Sequence, residues 1–177
     1  AARELFDAAL DQAILRAPTA ADKALFQHPH KLYPLHPLSL AALAVVSKRY
    51  GQSERSFHAF LSSNESGGLR AFAQVTPVQG HAWYRLPQLF DYLACGQGLR
   101  FRDLTAERRW AFALASIERQ GVAGDALDAL KTVAVLELVQ SALALRITSA
   151  LVAYGLGVRP LARVTALLDE LVEQGIL

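Results

Sequence analysis

The sequence predicts an all-α protein. Ala and Leu together make up about a third of its 177 residues. Apolar residues recur at three- and four-residue spacing almost throughout, the primary signal of amphipathic helix. Only Val75 to Leu86 carries plausible strand material, and Pro77 and Gly80 interrupt it.

Each element follows from local residues. Leu5, Phe6, Ala9, Leu10, Ala13 and Ile14 form one face of a first helix. It should stop before Pro18, because proline disfavours the α conformation in the residue before it. Thr19 can cap a short helix over 20–27. His28 to Pro37 holds three prolines, so it reads as an extended connector held by its side chains. Leu38 to Tyr50 is helical again, with Gly51 as its stop. Ser53 can cap a following helix whose inner face is Phe57, Phe60 and Leu61. Ser62 to Gly68 is a polar turn, and 69–74 can add one helical turn. Pro87 suits the first residue of a helix running to Cys95. Gly96 and Gly98 then mark an internal boundary, dividing the chain into 1–98 and 99–177.

The second half begins with Thr105 as a candidate cap for a helix over 106–119. Residues 125–140 form a longer helix that is apolar nearly all round (Leu127, Leu130, Val133, Ala134, Leu136, Leu138). Such a helix is buried. Two more follow at 148–155 and 160–174, separated by Gly155, Gly157 and Pro160. Leu161, Val164, Leu167, Leu168 and Leu171 give the last one an apolar face. Gly175 stops it, and Ile176-Leu177 would begin an extended segment. The order resembles a helix-turn-helix leading into a truncated wing, a winged-helix-like ending.

Composition narrows the function classes. The chain is 53% hydrophobic and 19% charged, which excludes disorder. No run approaches the roughly 18 apolar residues of a membrane span. One cysteine, Cys95, excludes a disulfide framework and fits a reducing, cytoplasmic setting. The absence of any methionine suggests a piece of a longer protein. A net charge of +2 is too small to imply nucleic acid by itself. Its distribution is uneven. Residues 1–110 hold thirteen Lys/Arg against nine Asp/Glu, and residues 111–177 hold five against seven. Arg100, Arg102, Arg108 and Arg109 lie beside Phe101 and Trp110, so this patch could meet phosphate or simply form a solvated helix face. A DNA-binding alternative uses Arg100 and Arg102, or Arg159 and Arg163 at the start of the last helix. Asp169, Glu170 and Glu173 on that helix oppose it.

The reactive residues do not assemble an active site. His28 and His30 flank a proline, with no Cys, Asp or Glu cluster to complete a metal site. No glycine-rich phosphate loop followed by Lys and Ser/Thr occurs, so the chain is not a self-contained NTPase.

One run is distinctive. Leu32-Tyr33-Pro34-Leu35-His36-Pro37, the helix after it, and Arg49-Tyr50-Gly51-Gln52-Ser53-Glu54-Arg55 closing on Phe60-Leu61 resemble a segment of large bacterial P-loop ATPases often linked to phage defence. In that family a YPLHP entry leads to GQNER, and here Ser53 stands where Asn is usual. Leu86 to Leu93 and Leu130 to Leu138 are similar to its later landmarks, with Glu137 replacing the usual Asn. The resemblance covers 31–177. It implies a helical lid-like subdomain followed by the winged-helix-like one, in a parent protein of AAA+ or STAND-like type that binds ATP and Mg.

In AAA+ ATPases an arginine near the start of a lid helix reaches the γ-phosphate. The resemblance thus implies that Arg55 senses nucleotide, with Gln52 as polar support and His36 fixing the connector. A helix N-terminus favours anions, and arginine adds a permanent, forked charge. The alternative is that Arg55 ties the turn, pairing with Glu54, Glu65 or a carbonyl. The implied chain is non-catalytic, carries no cofactor or metal of its own, and partners an upstream ATPase core and other protein domains. A pure protein-protein adaptor is the remaining alternative.

Overall fold

In the computed structural model the described residues are 2–11, 27–50, 57–62, 64–77, 82–95, 104–119, 121–157 and 160–177. Helix α1 (Ala2–Asp11) buries Phe6 and Ala9 on the face that its apolar spacing predicts. The connector is not wholly extended. Pro29–Leu32 winds into one 3-10 turn, which proline permits at its first positions, and the Tyr33-Pro34 bond is cis. Helix α2 (Pro37–Arg49) then buries Leu38, Ala41, Ala42, Leu43 and Val46. Helix α3 (Phe57–Ser62) is short; it buries Phe60, but Leu61 faces outward, 40% exposed, against the expectation of an inner position. After a turn closed by Gly68 N–H donating to Glu65 O (2.9 Å), helix α4 (Leu69–Val75) follows.

The described residues of the Val75–Leu86 segment, 75–77 and 82–86, form no strand. Its sole pairing among the described residues is an isolated parallel bridge between Leu35 and Tyr84. His36 N–H donates to Tyr84 O (3.0 Å), and Tyr84 N–H donates to Pro34 O (2.8 Å). The ladder cannot lengthen, because Pro34 and Pro37 have no N–H to give and helix α5 (Leu86–Ala94) begins two residues after Tyr84. Helix α5 starts one residue before Pro87, and the Gln88 side chain accepts from Arg85 N–H (2.9 Å).

Helix α6 (Leu104–Arg119) already includes Thr105, which is therefore not its cap. Helix α7 (Gly124–Leu143) is the longest. It packs against α2, α5 and α6 and against the two helices that follow it, α8 (Ser149–Leu156) and α9 (Leu161–Glu173). Its buried set includes Leu130, Val135, Leu136, Leu138 and Val139, while Leu127 and Val133 are half-buried. Each fully buried aliphatic side chain contributes roughly 1.5–3 kcal/mol. Thr132, also fully buried, returns its hydroxyl to Asp128 O (2.8 Å).

Helix α8 is capped by Thr148, whose hydroxyl oxygen accepts from Leu151 N–H (3.2 Å). Gly155 lets this helix approach closely. A Cβ there would lie 3.2 Å from Leu38 Cδ2 on α2 and 3.3 Å from Thr132 Cγ2 on α7. The axis turns by 111° between α8 and α9. Val164 and Leu171 of α9 are buried, but Leu161 is 51% exposed, contrary to its expected place on the apolar face.

The end of α9 is a full Schellman motif. Gly175 has a positive φ, its N–H donates to Val172 O (3.0 Å), and Ile176 N–H donates to Leu171 O (2.9 Å). Ile176 folds back against the buried Leu171, so no wing strand begins among the described residues. The architecture is all-α: one apolar core gathers side chains from α1 to α9. Among the described residues no single helix is long and apolar enough to cross a membrane.

Candidate functional site

The residue that best links sequence to structure is His36. It is fully buried and serves as the N-cap of α2, its Nδ1 accepting from Leu38 N–H (3.3 Å). Its ring packs on that of Tyr154 in α8 (centroids 4.7 Å apart), and Tyr154 donates its hydroxyl to Leu5 O of α1 (2.8 Å). Arg85 completes the junction, with Nη1 lying 3.4 Å from Gly155 O and 3.5 Å from Tyr154 O at the end of α8. Those carbonyls are the negative end of the helix, where a cation is favoured. The consequence is electrostatic. Burial, reinforced by the Arg85 guanidinium, pushes the His36 imidazole down to about 3. The ring is neutral at neutral pH. Burial also raises the Tyr154 phenol, with Arg85 opposing.

Four chain segments therefore meet at His36. The connector supplies it, α2 is capped by it, the segment before α5 supplies Arg85, and α8 supplies Tyr154. The Tyr84 phenol, raised by burial and by neighbouring Asp91 and Tyr92, donates to Gly67 O and anchors the α3–α4 turn beside the same bridge. The rings of Phe60 and Phe72 meet Tyr84 edge-on, each at 5.3 Å.

Of the other residues singled out from the sequence, Gln52, Arg55, Arg100, Arg102 and Arg159 lie outside the described residues. Arg163 is exposed on α9 and pairs with Asp125 of α7 (2.7 Å). His28 and His30 stack edge to face at 5.7 Å on the surface. No three His, Cys, Asp or Glu side chains converge among the described residues.

A second feature lies on the α6–α7 seam. Two depressions adjoin there, of about 400 Å³ and about 450 Å³, and both are lined by Arg109, Ala134 and Glu137. The first has polar walls, with Arg49, Thr105, Gln140 and Ser141 around Tyr50 and Trp110. The second is apolar, running between Phe112, Leu130, Val133, Ile176 and Leu177, with Arg108 at its edge. Phe112 is 53% exposed, far more than a large apolar residue in a core position.

No family model, curated protein or solved structure matches the chain. Function must be read from its own side chains. Arg108, Arg109 and Trp110 were visible in the sequence as a basic patch with an aromatic. Arg49 and the apolar groove were not, because they come from helices far apart in the chain.

Proposed function

We propose that the chain is a regulatory, non-catalytic part of a larger P-loop ATPase, joined to its nucleotide core and to partner protein domains. It would sense bound ATP and Mg through Arg55, with Gln52 beside it, and relay the state through a lid-like first part and a winged-helix-like second part. The observation that carries this reading is the position of His36. The Leu32–Pro37 run that bears the resemblance to phage-defence ATPases is also the segment that ties α2, α5 and α8 together. A displacement at α2 would be felt at α8, which it meets directly through Leu38 and Gly155 and through His36 and Tyr154. Relay requires contacts that differ between nucleotide states, since a ligand shifts an equilibrium only by its differential affinity. The chain lacks a phosphate loop, so alone it would not hydrolyse ATP. A cytoplasmic setting accords with this role.

The test is Arg55→Ala in the full parent protein, read as ATP turnover and ATP affinity. Loss of a charge-assisted hydrogen bond to phosphate would reduce one or both by roughly tenfold to a hundredfold. Unchanged turnover and affinity would end the sensing role. The DNA-binding alternative has less support. The outward side of α9 carries Asp169, Glu170 and Glu173, and Arg163 is engaged by Asp125.

A further inference from the structure

We propose that the trough along α6 and α7 is a binding site for a free, single-chain amphiphile with an anionic phosphate or carboxylate head. The two halves of the trough divide the work. At the polar end, Arg49 and Arg109 come from different helices and face the same depression. Arg49 lies over the Tyr50 ring, 6.0 Å from its centroid, and among the described residues neither arginine has a carboxylate within ion-pair distance. Thr105 and Ala106 of α6 border this end. Arginine adds forked donors that match phosphate or carboxylate.

At the other end, Phe112, Val133 and Leu177 border an apolar groove with space for about 450 Å³. A flexible hydrocarbon chain of eight to ten carbons, at roughly 0.8 kcal/mol per buried methylene, fits both its size and its chemistry. Arg109 lies between the halves and belongs to both. Glu137 shares that position and carries the opposing charge. Among the described residues, two arginines face one carboxylate in the polar depression. An uncharged chain would waste the arginines, and a bare anion would leave Phe112 in water. The amphiphile satisfies both ends. This site does not use the nucleotide-sensing role proposed for Gln52 and Arg55, although Arg49, Tyr50, Leu130 and Glu137 lie in runs that carry the family resemblance.

The test is isothermal calorimetry on the intact protein with monomeric decyl phosphate. Decyl maltoside serves as the same tail with an uncharged head, inorganic phosphate as the head alone, and anionic phospholipid vesicles as the bilayer source. Saturable one-to-one binding of decyl phosphate is expected, at least about tenfold tighter than decyl maltoside or phosphate. Arg109→Gln should weaken it about tenfold. Phe112→Ala should weaken it severalfold, and Glu137→Gln should tighten it. All three positions are exposed or half-buried, and circular dichroism will show that each variant keeps its helices. The proposal is overturned if decyl phosphate fails to bind, if decyl maltoside binds equally well, or if Arg109→Gln changes nothing. Binding to vesicles without binding to the monomer overturns it as well.

Discussion

Gly67→Ala should destabilise the protein through a contact that no side-chain movement can relieve. Gly67 sits at φ +78, and a Cβ there would lie 2.5 Å from Tyr92 N and 2.8 Å from Tyr92 Cα. Both atoms are backbone of α5, so the turn itself must move. The left-handed conformation costs alanine about 1 kcal/mol. Relieving the overlap costs a further 1–3 kcal/mol or so. Moving the turn also strains the Tyr84 hydroxyl bond to Gly67 O, worth about 1 kcal/mol. Alanine stiffens the unfolded chain, which returns about 0.4–1 kcal/mol. The net loss is roughly 2–4 kcal/mol, or about 5–15 °C in Tm for a chain of this length. Gly121→Ala is the control. Gly121 also has positive φ (+60), but nothing lies within 4 Å of its Cβ position, so only the conformational cost applies. Urea titration of both variants measures the difference. If Gly67→Ala is no more destabilised than Gly121→Ala, the close approach to α5 is not what holds this turn.

Further outcomes follow from the same contacts. His36 binds its proton far less readily when folded than when unfolded; between pH 6.5 and about 3 the unfolded chain is therefore the more protonated state. Its stabilising contribution is fully present above pH 6.5 and falls by about 1.4 kcal/mol per pH unit below it. His36→Asn, which keeps a capping acceptor, should flatten that slope in urea titrations across the range. Leu136→Ala, at a fully buried position of α7, should cost about 2–5 kcal/mol in the same titration. Ala144 closes α7 at φ 52, so Ala144→Gly should be neutral to stabilising by up to about 1 kcal/mol; a lower urea midpoint would contradict this. Arg163→Ala removes an exposed ion pair with Asp125 and should change stability by less than about 1 kcal/mol, with little dependence on salt thereafter.

Helix positions were legible from spacing alone. The runs at Leu38–Tyr50 and Leu130–Leu138 are apolar at intervals that only a helix can gather onto a core, and α2 and α7 lie there. Capping was legible where the acceptor is local: Gly175 ends α9. What spacing could not show was which apolar residues find a neighbour. Leu61 and Leu161 have helical phase but stay 40% and 51% exposed. Of the plausible strand material over Val75–Leu86, the described residues make one bridge, Tyr84 to Leu35, on a connector bounded by Pro34 and Pro37. His36 was visible within a motif, yet its contacts with Arg85 and Tyr154 cross about 50 and about 120 residues, and no local pattern encodes them. The trough was half visible for the same reason, since Arg108 and Arg109 are adjacent and Arg49 is remote.

The central place of α7 has a consequence for how the protein is made. Helices α1 to α6 are synthesised before the element that α2, α5 and α6 all pack against. Until Leu143 has left the ribosome, the faces that α2, α5 and α6 turn toward α7 have no mate, and the nascent chain holds a core that cannot close. Closure then arrives late and nearly at once. Synthesis rate across 124–143, more than across any earlier stretch, should govern how long the chain stays exposed to aggregation and to chaperones.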